Sequence, residues 1–102
     1  MTDTEVSADD VRELELYAEN TAELYPQFQS IIKNLQRKIA KGRYDPKLAP
    51  KLWRYWYDAA AKRYKAEFGS TDWSFPVAVR QAAAETKAAE EYEAILAGEY
   101  DA

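Results

Sequence analysis

Residues 28–45 read Phe28-Gln29-Ser30-Ile31-Ile32-Lys33-Asn34-Leu35-Gln36-Arg37-Lys38-Ile39-Ala40-Lys41-Gly42-Arg43-Tyr44-Asp45, with Pro46 next. At 100° per residue, Phe28, Ile31, Ile32, Leu35 and Ile39 fall within about 100° of arc, while Lys33, Arg37 and Lys41 point the other way. That is the stripe of a helix with one core-facing side. Gly42 is a natural residue just past a helix end, and Asp45-Pro46 is a cap followed by a helix-starting proline. A four-residue connection between two helices makes them antiparallel neighbours. The fold class is therefore all-α.

Toward the N-terminus, Ser7 can cap a first helix, with Asp9 and Asp10 at its positive end. Val11, Leu14, Tyr17 or Ala18, and Thr21 recur at helical spacing, so a helix is expected to about Asn20. Asn20-Thr21 is either a break, with Thr21 capping the next turn, or a stretch the first helix runs through; Pro26 suits a first turn, which favours a new helix near residues 22–26. Toward the C-terminus, a third helix is expected over roughly 46–68, with Pro50 distorting its first turns or delaying its start. Gly69 ends it, and a turn follows over 70–74. Ser74 or Pro76 then opens a fourth helix that runs to about Ala97 and stops at Gly98. Its inner face reads as Ala78, Ala82, Ala89, Tyr92 and Leu96, small enough to let it approach bulky neighbours. The expected architecture is a compact bundle of three long helices plus a shorter N-terminal one. One helical domain spans 8–98, between a disordered N-terminal tail (1–7) and a C-terminal tail (99–102).

The 102 residues are 47% hydrophobic and 31% charged, with 3 Gly, 4 Pro, no Cys and no His. This is globular composition, not that of a disordered chain. Without Cys and His there is no disulfide, thiolate nucleophile, imidazole base or imidazole metal ligand. A di-iron bundle site needs Glu-x-x-His motifs, which this chain cannot supply. No phosphate-binding glycine loop, dinucleotide fingerprint or nucleophile elbow is present. The expectation is a protein that is not an enzyme and carries no cofactor or metal. No apolar leader, lipidation motif or membrane-length apolar run is visible, so a cytoplasmic protein with no membrane association is expected.

The net charge of −4 conceals three blocks. Residues 1–32 hold eight acidic and one basic side chain, residues 33–65 hold eleven basic and two acidic, and residues 66–102 hold eight acidic and two basic, or −7, +9 and −6. On the third helix Lys47, Lys51, Arg54, Lys62 and Lys65 project within about 80° of one another, interrupted by Asp58. Arg37, Lys41 and Arg43 add charge near the preceding turn. These eight residues are the candidate surface for nucleic acid or an acidic partner. The plainer alternative is that basic central helices lie between acidic outer ones, in exposed ion pairs of little individual worth. The sequence pI near 4.9 counts against nucleic acid.

The third helix also carries Trp53-Arg54-Tyr55-Trp56-Tyr57. Leu48, Leu52, Tyr55 and Ala59 form one apolar strip; Trp53, Tyr57, Ala60, Tyr64 and Phe68 form another. With Trp56 between them, about 220° of the circumference is apolar, so the helix is either central or docked to a partner. Leu52, Tyr55 and Trp56 are expected in the core. Trp53, Tyr57 and Tyr64 are the candidate protein-partner or homodimer strip, because Trp and Tyr dominate interface hot spots; the alternative is that the alanine-rich fourth helix covers them. Trp73 and Phe75 are expected to staple the last loop to the bundle.

The motifs Leu16-Tyr17-Ala18-Glu19-Asn20, Ile31-Ile32-Lys33-Asn34-Leu35, Lys41-Gly42-Arg43-Tyr44-Asp45, Asp58-Ala59-Ala60-Ala61-Lys62-Arg63-Tyr64, Glu67-Phe68-Gly69 and Phe75-Pro76 give a further indication. Over about residues 14–84 the chain resembles a family of small helical proteins found mainly in tailed bacteriophages. The resemblance rests on structural motifs and transfers no catalytic or ligand residue. It implies a phage origin and a role in the infected cell's cytoplasm. The first functional reading is a non-enzymatic accessory protein that binds a macromolecular partner, a protein before a nucleic acid. A third reading is mimicry, in which acidic Glu15, Glu19, Glu23, Glu90 and Glu91 imitate nucleic acid to block a host protein.

Overall fold

The computed structural model describes residues 8–68 and 75–100. Four α-helices follow in order: α1 (Ala8–Glu19), α2 (Tyr25–Ala40), α3 (Ala49–Phe68) and α4 (Val77–Leu96), with a 3-10 turn at Ala22–Leu24 before α2. There is no strand among the described residues. The expected all-α bundle of three long helices and a shorter first one is what forms. The N-terminal tail, Ser7, Gly69, the turn over 70–74 and Trp73 lie outside the described residues.

Local chemistry sets the helix ends. The chain breaks after α1, and the Thr21 hydroxyl donates back to the Tyr17 carbonyl at 2.6 Å without capping the next turn. At the end of α2, Gly42 takes φ +68°, its N–H donating to the Ile39 carbonyl and that of Arg43 to Lys38. This paired closure satisfies carbonyls the helix leaves open, in a conformation that suits glycine. Gly98, at φ +80°, closes α4 the same way. Asp45 accepts the Lys47 N–H on its side chain at 2.8 Å and those of Leu48 and Ala49 on its carbonyl. The turn over 46–48 therefore precedes the regular helix, and Pro50 sits in the first turn of α3, where its missing N–H costs nothing.

The core is aromatic and alanine-rich. Trp53 and Tyr57 are both 0% exposed and Trp56 is buried beside them, packed on Phe28 and on one another with ring centroids 5.1–5.7 Å apart. Trp56 donates its indole N–H to the Leu24 carbonyl at 2.9 Å, which anchors the 3-10 turn to α3. Ile31, Ile32 and Leu35 are buried as the α2 stripe requires, with Phe28 and Ile39 at its edges. The broadest interface joins α3 to α4, where Ala83, Ala84 and Ala88 let the backbones approach. Phe75 is buried against the bundle, as expected for a loop staple.

Two faces differ from the sequence reading. The buried side of α4 is Val79, Ala83, Ala84, Lys87, Ala88 and Glu91, about 180° around the helix from the expected Ala78, Ala82, Ala89, Tyr92 and Leu96, of which Ala89 and Leu96 are exposed. Hydropathy rejects a face containing Lys87 and Glu91, and these two enter the core as a pair. On α3, Tyr55 is 67% exposed, although expected inside, and Leu52 is only half-buried. Nor does the chain after Gly98 run free. The Tyr100 ring packs on Phe28, its hydroxyl donates to Glu91, and Gln36 donates to its carbonyl at 3.4 Å.

Candidate basic interface

The α2–α3 connection gathers basic side chains at one end of the bundle. Arg37, Lys38 and Lys41 come from the last turns of α2, Arg43 from the turn, and Lys47 and Lys51 from the start of α3. All but Lys38 are exposed. Among the described residues only Arg54 and Arg63, of the eleven bases between 33 and 65, form an ion pair. The remaining nine are not neutralised by the acidic helices. Basic α3 does pack against acidic α1 and α4, but among the described residues that packing brings few of its bases into ion pairs.

Arg54 is the exception among the candidate residues. Its Nε donates to Asp58 at 3.0 Å and its Nη1 to Gln81 at 2.9 Å, while Arg80 reaches the same Asp58 oxygen at 2.6 Å. Arg80 also donates to the Phe75 carbonyl, so this network ties α3 to the start of α4. Lys62 and Lys65 are exposed further along α3. Lys62 stands about 16 Å of helix axis from Lys51, beyond the Asp58 network. The eight candidate bases thus divide into a cluster of five at one end, a structural Arg54 and a distant pair.

The candidate partner strip is corrected by burial. Trp53 and Tyr57 lie wholly inside, and neither offers a surface. Trp53 is covered by Phe28 of α2 and Lys87 of α4, and Tyr57 packs on Trp56, where α1, α2 and α4 all contact α3. Tyr64 is half-buried between Tyr17, Phe68 and Phe75, and its hydroxyl donates to Glu13 at 2.6 Å. Of the expected strip Phe68 is exposed, and on the opposite side of α3 so is Tyr55, one turn from Lys51. Tyr55 lies in an open cleft of about 790 Å³ between α3 and α4, whose walls include Lys47, Lys51 and Arg54 on one side and Glu85 on the other. A neighbouring cleft of about 500 Å³ is lined by Pro46, Pro50, Tyr44, Tyr92 and Glu93, with Tyr44 and Tyr92 stacked at 4.4 Å.

The acidic residues of the mimicry reading are largely engaged. Lys87, 5% exposed, places its ammonium 3.0 Å from Glu91 and 3.4 Å from Glu19, and Glu23 pairs with Arg63 at 3.3 Å. Burial raises the Glu15 carboxyl above its ordinary range, helped by repulsion from Glu90 and Glu19 and opposed by Lys87 and Arg12. No group of three acidic side chains among the described residues converges in a way that could hold a metal ion. No described helix is long and apolar enough to cross a membrane.

Sequence reasoning missed Lys87 and the acidic wall of the cleft. A signal for Lys87 was present in the i, i+4 series Val79-Ala83-Lys87-Glu91, apolar in its first half and ion-paired in its second. No protein-family model, no curated protein and no solved structure matches the chain.

Proposed function

We propose that this chain is a non-enzymatic binding protein that holds an acidic protein partner at the basic end formed by Arg37, Lys41, Arg43, Lys47 and Lys51. The observation that carries the reading is that nine bases of the central block make no ion pair among the described residues, in a chain whose net charge is −4. Clustered, solvated cations repel one another, and an acidic partner surface relieves that repulsion while steering encounter. Asp45 within the cluster and Glu85 and Glu93 along its flank interrupt any path for a continuous polyanion, which favours a protein over a duplex. With the resemblance to tailed-phage proteins, the reading extends to a phage accessory protein acting in the host cytoplasm.

The test is capture from bacterial lysate by the wild-type chain and by Arg37→Glu/Lys41→Glu/Arg43→Glu, with and without nuclease. Nuclease-resistant capture that the reversed variant loses supports the reading; capture that survives the reversal contradicts it. The nine free bases also support a second reading, nucleic-acid binding. It requires a gel shift at low salt that weakens steeply as salt rises, since each phosphate contact releases counterions.

A further inference from the structure

The cleft between α3 and α4 carries opposite charge on its two walls. On the α3 side, Lys47, Lys51 and Tyr55 succeed one another at four-residue spacing, all exposed. On the α4 side, Glu85, Ala89 and Glu93 do the same. The walls are lined up along antiparallel helices, yet no ion pair joins Lys47 or Lys51 to Glu85 or Glu93 within the chain. Between them lie Pro46, Pro50, Tyr44 and Tyr92.

Helix stability does not account for the lysines. Lys51 stands in the first turn of α3 and Lys47 just ahead of it, and that turn holds no acidic residue. The positive end of the helix dipole disfavours cations there. Arg37 and Lys38, in the last turn of α2, sit where the dipole favours them. Asp45 sets one carboxylate at this end, on the Lys47 backbone N–H, and a further anionic group brought against Lys47 and Lys51 would offset the remaining cost.

We propose that this face is a dimer interface and that its occupant is a second copy of this chain. A two-fold axis lying along the cleft sets the basic wall of each copy against the acidic wall of the other. Lys47 and Lys51 then meet the other copy's acidic stripe, and the contact is repeated by symmetry. A two-fold axis running across the cleft sets lysine against lysine, so charge selects the first arrangement. Tyr55 and Ala89 supply the apolar contact between the charged pairs. Lys47 and Lys51 are shared with the basic end proposed for an acidic partner, whereas Arg37, Lys41 and Arg43 stay outside this interface, so the Arg37→Glu/Lys41→Glu/Arg43→Glu variant tests that reading and leaves the dimer in place.

The experiment is sedimentation equilibrium of the full chain at about 100 µM, a concentration at which any Kd below about 10 µM leaves the dimer dominant. The wild type is expected at twice its 11.7 kDa mass. Lys47→Glu/Lys51→Glu, with two acidic walls, and Glu85→Lys/Glu93→Lys, with two basic walls, are each expected to be monomeric. Their equimolar mixture is expected to regain the dimer. Tyr55→Glu, at the exposed centre of the α3 stripe, is expected to raise Kd at least tenfold, and circular dichroism checks that all three variants keep their helix. A monomeric wild type, a reversed pair that still dimerises alone, or a mixture that stays monomeric overturns the proposal.

Discussion

The Lys87 ammonium lies 3.0 Å from Glu91 and 5.1, 5.6 and 5.8 Å from the ring centroids of Phe28, Trp56 and Trp53. A buried cation is thus held by carboxylates and by the faces of three aromatic rings, at the point where α2, α3 and α4 meet. Removing one partner of such a pair leaves the other buried without compensation, whereas replacing both by apolar groups is often neutral. Lys87→Met alone is expected to cost about 3–5 kcal/mol by urea denaturation. Lys87→Met/Glu91→Leu is expected to recover most of that loss. A double variant as unstable as the single one would show that the rings, and not the charge pair, hold this junction.

Trp53 and Tyr55 stand two residues apart on α3 and have opposite fates. Trp53→Ala opens a cavity among Phe28, Trp56 and Lys87 and is expected to cost about 3–5 kcal/mol, enough to unfold much of the protein. Tyr55→Ala is expected to change stability by no more than about 0.5 kcal/mol. Thermal melts of the two variants decide between this placement and an exposed Trp53 strip.

Tyr57 is buried with no hydrogen-bond partner for its hydroxyl among the described residues. Burial pushes its phenol above the ordinary 10.0, reinforced by the nearby charges of Glu15, Glu19, Glu90 and Glu91. The Tyr100 phenol is raised by burial and by its bond to Glu91. In the unfolded chain both ionise near pH 10, while in the fold they keep their protons. The folded state therefore binds more protons above pH 10, and stability falls as pH rises beyond that point. Tyr57→Phe is expected to be neutral or stabilising at pH 7 and to lessen the alkaline loss. A variant destabilised at pH 7 would mean that the hydroxyl contributes to the native core.

The Glu15 carboxyl is raised by burial first and by Glu90 and Glu19 after it. Its ionised form opposes folding, so stability is gained as pH falls through the raised value toward the ordinary 4.5 and lost as pH rises. Glu15→Gln removes a like-charge i, i+4 contact with Glu19, worth about 0.2–0.5 kcal/mol. At pH 7 its Tm is expected to rise by about 1–4 °C, and the gain should vanish at low pH. A gain that persists in acid would point to propensity and not charge.

The amino-acid sequence by itself determined the number, order and limits of the helices. Gly42 and Gly98 at positive φ, Asp45 ahead of Pro46, and Pro76 before α4 act through the backbone within a few residues, so their effect is legible locally. The α2 stripe was legible as well, because Ile31, Ile32 and Leu35 stand out against lysines on the opposite side. The segregation of charge and the basic end also came from sequence, since the short connection folds Arg37, Lys41 and Arg43 onto Lys47. Tertiary structure alone decided how α3 and α4 rotate. Around α3 the apolar residues cover so much of the surface that periodicity has no contrast, and the neighbours choose Trp53 over Tyr55. On α4 the inward face carries Lys87 and Glu91, a cost that only their mutual pairing and the rings of α2 and α3 remove. Pairing across elements is a property of the assembled bundle, and no one segment contains it.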